Sequence, residues 1–140
     1  MSWLIDTNVV AEWVKSRPDE RVVRWLAEAD EDRLYLSVAT LAEVRMGVEA
    51  LAEGRRKQRL AAWLEDDLPA RFEGRILLVD AAVANAWGVV VARARAVGKP
   101  LGVMDAFFAA TAAVHHLTLV TRNTRDFTST GIDLLDPWST

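Results

Sequence analysis

The sequence predicts an α/β protein, a three-layer α/β/α sandwich around a central, mainly parallel sheet of four or five strands. Short runs of almost wholly apolar residues recur along the chain, as in strands that are buried on both faces. Longer segments with helical spacing separate these runs, and strands joined by helices lie parallel in one sheet. The length is that of one domain, so residues 1–140 are expected to fold as a single unit.

Five runs are expected to be strands. They are WLID at 3–6, LYLS at 34–37, ILLV at 76–79, LTLVT at 117–121 and IDLL at 132–135. Each of the first three intervals between them is expected to contain two helices. The carboxyl ends of such strands meet at one edge of the sheet, where ligands bind.

Three segments with helical spacing predict helices for the two outer layers of the sandwich. The stretch from Glu20 places apolar residues on one stripe at Val22, Val23, Leu26 and Ala27, and the stretch from Thr40 does so at Leu41, Val44, Val48 and Leu51. The stretch from Ala81 to Arg95 is largely Ala and Val. Pro18-Asp19, Gly54 and Gly102 mark boundaries between segments.

Composition excludes several classes of protein. The chain has no cysteine, which excludes disulfides, thiolate metal sites and thiol nucleophiles. A net charge of −3 gives no global attraction to nucleic acid, so a polyanionic substrate would need a local basic patch. No secretory signal is expected, and the longest uncharged segment, 106–121, is too polar to span a bilayer. A soluble, cytoplasmic protein without membrane contact is expected.

Asp6 follows the first predicted strand and precedes a helical segment. N-capping by Asp6, Thr7 or Asn8 would satisfy the free N–H groups at a helix start without any chemistry. A metal ligand would stand at the same place. Asp6 by itself leaves both interpretations open.

Glu43 and Asp80 each have a structural interpretation. Thr40 and Glu43 have the spacing of a capping box, in which the two side chains satisfy each other's backbone N–H groups. Asp80 follows the third predicted strand and begins a helix. We expect Asp80 to be a cap only, and it serves as an internal control.

Asp105 and Asp126 are two further acids near predicted strand ends. Asp105 opens a very apolar helix, where a cap and a metal ligand are equally supported, and Asp126 could be a solvated loop carboxylate. Several carboxylates at one edge would shift one another's pKa values unless a cation neutralised them. Oxygen-only ligation suits Mg²⁺ or Mn²⁺.

Four motifs together resemble the PIN-domain ribonucleases, specifically the VapC-type toxins of type II toxin–antitoxin systems. They are LIDTN at 4–8, SxxTxxEVRMG at 37–47, GKPLGVMDAFFAATA at 98–112 and LVTRNTRDF at 119–127. EWVKSRPDERVVRWL at 12–26 and EGRILLVD at 73–80 look most like the FitB-like branch. The resemblance runs through nearly the whole chain in the family's order.

This resemblance implies one acidic metal pocket. Asp6, Glu43 and Asp105 fall on three acidic family positions, and either Asn123 or Asp126 completes the site. Asp6 and Asp105 would be the principal ligands, with Glu43 as a ligand or as the base for the attacking water. The groups implied to orient carboxylates or substrate are Asn8, Ser37, Thr40 and Thr121, with Asn8 best placed to hydrogen-bond the backbone or to orient Asp6.

The implied activity is Mg²⁺- or Mn²⁺-dependent hydrolysis of RNA phosphodiester bonds. The cations expected to contact RNA phosphates are Arg45, Lys99, Arg122 and Arg125. The resemblance also implies a homodimer and a cognate antitoxin that docks on the early helices and blocks the pocket. Two alternatives remain: a catalytically weak PIN-like module that binds RNA or protein, and a receiver-type phosphoacceptor domain.

Overall fold

Five short strands form one sheet in which every pair of neighbours is parallel. The computed structural model describes residues 1–139. The strands are β1 (Trp3–Ile5), β2 (Leu34–Ser37), β3 (Ile76–Leu77), β4 (Thr118–Val120) and β5 (Leu134–Leu135). Their order is β3-β2-β1-β4-β5, so β1 is the central strand. Each strand lies within a run predicted from the sequence.

Among the described residues seven α-helices surround this sheet. They are α1 (Thr7–Val10), α2 (Glu20–Glu28), α3 (Val38–Glu49), α4 (Arg55–Ala62), α5 (Leu68–Arg71), α6 (Ala81–Ala96) and α7 (Val103–His115). A 3₁₀-helix (Ala11–Val14) continues α1, and a π-helix (Trp63–Asp67) joins α4 to α5. Three more 3₁₀-helices are Glu31–Arg33, Thr124–Thr130 and Pro137–Ser139.

Successive residues of the central strand point into two different cores, because side chains alternate along a strand. Ile5 packs in one core with Val22 and Leu26 of α2. Leu4 packs in the other core with Phe108 and Ala109 of α7. Helices therefore cover both faces of a parallel sheet, and the predicted α/β/α sandwich is confirmed.

The start of α3 differs from the prediction. The helix begins at Val38, and the Ser37 hydroxyl accepts a hydrogen bond from the Ala39 N–H at 3.0 Å. Thr40 is fully buried inside the first turn. The predicted capping box between Thr40 and Glu43 is wrong because Ser37 already occupies the N-cap position, which leaves the Glu43 carboxylate free for other contacts.

No helix within the part of the chain that the structure describes combines the length and apolar character needed to cross a membrane.

Candidate active site

Four acids from separate segments meet beyond the carboxyl end of β1. Asp6 follows that strand directly, Glu43 lies on α3, Asp105 lies in the first turn of α7, and Asp126 lies on the 3₁₀-helix Thr124–Thr130. The charges of Asp105 and Glu43 both raise the pKa of Asp6, and those of Asp126 and Glu43 raise the pKa of Asp105. The parallel topology thus brings together acids up to 120 positions apart in the chain.

Asp6 is a buried carboxylate held by two donors. Its side chain is only 5% exposed. The Thr7 N–H donates to Oδ1 at 2.6 Å and the Thr121 hydroxyl donates to Oδ2 at 2.7 Å. Burial raises the pKa of Asp6 to about 6, although both hydrogen bonds oppose that rise and the neighbouring acids add to it. Asp6 is also the N-cap of α1, so the capping role, one of the two interpretations that the sequence left open, is observed.

Glu43 is positioned by a residue that the sequence reasoning did not assign to the site. The Thr7 hydroxyl donates to Glu43 Oε1 at 2.6 Å. The hydroxyl oxygens of Thr7 and Thr40 lie 3.5 Å apart, which continues the network into α3. The sequence contained a signal for this role of Thr7, because Thr7 lies in the LIDTN motif between Asp6 and Asn8, which are both predicted site residues.

Thr121 links the site to the segment after β4. Its hydroxyl oxygen donates to Asp6 and accepts from the Asn123 N–H at 3.1 Å and from Asn8 Nδ2 at 3.5 Å. Asn8 Oδ1 in turn accepts from the Arg122 N–H at 3.4 Å. Asn8 therefore hydrogen-bonds the backbone, as expected, and its contact with Asp6 runs through Thr121.

Asp105 and Asp126 line one side of a polar cleft of about 460 Å³. Lys99 and Arg125 line the same cleft, as the predicted contacts with RNA phosphates require. Burial is the largest cause of the raised pKa of Asp105, followed by the charge of Asp126. The Asn123 side chain is exposed and does not line this cleft. Of the two residues considered for the fourth position, Asp126 is thus the one that faces Asp105.

Three other predicted site residues contact groups within the fold. Arg45 pairs with Glu65 at 2.8 Å and Glu49 at 3.6 Å, because residues two apart on a helix, such as Glu43 and Arg45, do not share a face. Arg122 lies over the Trp138 ring, 5.3 Å from its centroid. The Ser37 hydroxyl caps α3 and touches no carboxylate among the described residues.

The donor chemistry of the site fits a hard cation. Among residues 1–139, no three Asp, Glu or His side chains lie close enough together to enclose a metal ion. Mg²⁺ in proteins is held by one or two carboxylates and keeps several waters. Burial raises the pKa of Asp6 and of Asp105, and the charges of neighbouring acids add to the rise, so a bound cation would favour the charged form of both carboxylates.

A parallel α/β/α sandwich with four acids beyond its central strand, of which Asp6 is buried, is an α/β protein with an acidic site at the carboxyl edge of the sheet, and the donor chemistry of that site fits a cation. The family model described as "PIN domain" matches residues 3–132, and the chain belongs to the PIN-domain family. This confirms the family predicted from the sequence and removes the receiver-type alternative.

Curated relatives and a solved structure agree with this family. Toxin FitB of Neisseria gonorrhoeae is 39% identical over 135 residues, covering 96% of this chain and 97% of that protein. VapC ribonuclease Y4jK of Sinorhizobium fredii is 35% identical over 135 residues, covering 96% of each. The crystal structure of FitAcB from Neisseria gonorrhoeae superposes with a TM-score of 0.94 at 38% identity, covering 99% of both chains.

Proposed function

We propose that this protein is a Mg²⁺- or Mn²⁺-dependent ribonuclease that acts as the toxin of a toxin–antitoxin pair in the cytoplasm. Two of its relatives are named a toxin and a VapC ribonuclease, and both match almost the whole chain. The observation that carries the proposal is the group of acids beyond β1, in which burial raises the pKa of Asp6 to about 6 and the charges of Asp105 and Glu43 add to the rise.

The acids would have different roles in the proposed reaction. Asp6 and Asp105 would hold the metal, and Asp126 would add its negative charge beside Asp105. When bound, the cation stabilises negative charge on the scissile phosphate and makes a water molecule more acidic. Glu43 would accept the proton of the attacking water, and the Thr7 hydroxyl holds its carboxylate in place for that step.

Lys99 and Arg125 are the proposed contacts to RNA phosphates. Both line the cleft that contains Asp105 and Asp126, so a phosphate held by them would lie beside the acids. Arg45 makes ion pairs with Glu49 and Glu65, so its replacement should affect RNA binding less than replacement of Arg125.

An antitoxin is proposed to bind over the same acids. An apolar groove of about 260 Å³ begins at Thr7 and Glu43 and is also lined by Val44, Leu60 and Trp63. An apolar segment of a partner chain seated there would cover Glu43. A homodimer is also proposed, to be tested by light scattering of the purified protein.

The experiment is RNA cleavage by purified protein freed of any partner. A mixed RNA pool should be cut with Mg²⁺ or Mn²⁺, and EDTA or Asp105→Asn should each abolish cutting. Wild-type protein that binds RNA but leaves the pool intact with either metal would favour the non-cutting module. Cutting that survives in EDTA would refute the metal-dependent mechanism.

A further inference from the structure

The acids of the candidate site open onto two different cavities. Asp105 and Asp126 line the polar cleft. Glu43 lines the apolar groove of about 260 Å³, together with Thr7. Within residues 1–139, the groove is lined by no other acid, and Asp6 lines neither cavity. The proposed base is therefore reached through the groove, whereas Asp105, a proposed metal ligand, is reached through the cleft.

The support of Asp6 does not depend on the Glu43 side chain. Asp6 is buried, and its two donors are the Thr7 N–H and the Thr121 hydroxyl. Glu43 is held by a different group of Thr7, the hydroxyl, which donates to Oε1 at 2.6 Å. A group seated in the groove can thus contact Glu43 and leave both hydrogen bonds to Asp6 in place.

The chemistry of the groove suits an apolar protein segment rather than RNA. Its apolar walls include Val44, Val48, Leu51, Leu60 and Trp63. Its two charged residues are Glu43 and Arg56, and one acid beside one cation gives no net attraction to a polyanion. Arg56 makes no ion pair among residues 1–139, whereas Lys57 on the same helix pairs with Glu49 and Glu53. Arg56 is therefore available to a carboxylate on the bound segment.

From these observations we infer that an apolar segment of the antitoxin, seated in this groove, inhibits the protein through Glu43 and leaves Asp6 and Asp105 free to hold a metal ion. Apolar side chains packed beside Glu43 would exclude the water molecule whose proton that carboxylate accepts in the proposed reaction. The inference rests on the proposed ribonuclease function and its antitoxin, and it names the acid through which the partner acts.

Gly47 allows the groove to be filled without any partner. It lies four residues after Glu43 on α3, so the two positions share a helix face, and side chains on a helix lean toward its N-terminus. Gly47 lines the groove, and an added Cβ atom would have open space around it. In Gly47→Trp, the indole ring would lie in the groove and point toward Glu43, as the apolar segment is inferred to do.

The test compares cleavage with metal binding. Gly47→Trp should lower kcat for an RNA that the wild type cuts about a hundredfold, the lower end of what a general base contributes, with KM unchanged. Isothermal titration should give the same Mn²⁺ affinity as the wild type, because the proposed metal ligands are untouched. Fluorescence anisotropy in EDTA should likewise give the wild-type affinity for RNA.

Two control variants separate filling of the groove from other effects. Gly88→Trp makes the same change inside α6, where Gly88 is exposed, has open space for a Cβ atom and does not line the groove. Gly47→Ala stiffens α3 but adds only a methyl group. Both variants should keep the wild-type kcat. None of the three variants should have a lower melting temperature than the wild type, because glycine is the weaker helix former.

Four results would overturn the inference. They are a wild-type kcat in Gly47→Trp, weaker Mn²⁺ binding, weaker RNA binding, and a change of oligomeric state in light scattering. Weaker RNA binding would make RNA the occupant of the groove, and a changed oligomeric state would make it a second copy of the chain.

Cleavage by the wild type separates this inference from the proposed function. If the wild type cuts RNA and Gly47→Trp cuts it equally well, the inference is wrong and the ribonuclease stands. If the wild type does not cut RNA with either metal, the proposed function fails and takes the inference with it.

Discussion

Asp6 and Asp80 have similar local sequences and different surroundings. Each follows a predicted strand and is the N-cap of a helix. Asp80 is exposed and its Oδ1 accepts one hydrogen bond, from the Val83 N–H at 3.0 Å. Asp6 is 5% exposed, also accepts the Thr121 hydroxyl, and has a pKa raised to about 6.

The position of the preceding strand explains this difference. β1 lies between β2 and β4, so helices and loops from both neighbours enclose its carboxyl end. β3 lies at the edge of the sheet and pairs only as far as Leu77, and Leu78 is 65% exposed. The chain has therefore left the sheet before it reaches Asp80. A strand-end acid becomes part of a site only where the topology brings other acids to it.

The largest expected effect is the difference in RNA cleavage between variants of Asp6 and of Asp80. Asp6→Asn should lower kcat/KM for RNA cleavage about a thousandfold, because it removes a carboxylate that we propose binds the metal, while Asn still satisfies the cap. Asp80→Asn should stay within about twofold of the wild type in the same assay. Comparable losses in both variants would mean that Asp6 is no more than a second cap.

A smaller loss of activity is expected when Asp6 is kept but the hydrogen bond from Thr121 to its carboxylate is removed. Thr121→Val removes the hydroxyl that donates to Asp6 Oδ2, and loss of such a supporting hydrogen bond should lower kcat/KM about 10- to 100-fold. Thr118→Val is the control, since Thr118 is buried at the opposite end of β4. Full activity of Thr121→Val would show that the contact does not orient Asp6.

The pH dependence of stability offers a test without RNA. The folded-state pKa of Asp6 is raised from 3.8 to about 6, so between these values the folded protein binds more protons than the unfolded chain. Acidification from pH 7.5 to 5 in EDTA should therefore add about 1 kcal/mol of stability through Asp6. Urea unfolding of the wild type and Asp6→Asn at both pH values measures this contribution as the difference between the two proteins. A contribution of opposite sign would contradict the buried, uncompensated state of Asp6.

The smallest expected effect is a loss of stability on replacing Asp80, without a loss of activity. Asp80→Ala removes the acceptor for the Val83 N–H and should destabilise the protein by about 1 kcal/mol, with no change in kcat/KM. Urea unfolding at pH 7.5 gives the first quantity and RNA cleavage gives the second. An activity loss beyond what the lower stability explains would place Asp80 in the site as well.

Much of the fold could be predicted from the sequence. Apolar runs gave all five strands, because strands buried on both faces need apolar residues at nearly every position. The start of α3 was misplaced because Ser37 and Thr40 both have cap chemistry, and the choice depends on where β2 ends. Two helices were predicted between β2 and β3, and this is wrong, because the π-helix Trp63–Asp67 lies between α4 and α5 and the interval contains three α-helices.

The site was predictable only in part. The meeting of Asp6, Glu43 and Asp105 followed from the family motifs and from parallel topology. The role of Thr7 did not, because it depends on which acid the Thr7 hydroxyl reaches in the folded chain. Likewise, the pairing of Arg45 with Glu65 depends on how the π-helix packs on α3, a contact between residues 20 positions apart.

Binding of Mn²⁺ to the metal-free protein tests the central claim most directly, since it requires neither RNA nor turnover. Isothermal titration at pH 7.5 should show Mn²⁺ binding by the wild type and by Asp80→Asn with equal affinity. Asp6→Asn should bind at least about tenfold more weakly, because it loses a charged ligand. If Asp6→Asn binds Mn²⁺ as tightly as the wild type does, the acids beyond β1 are not the metal site.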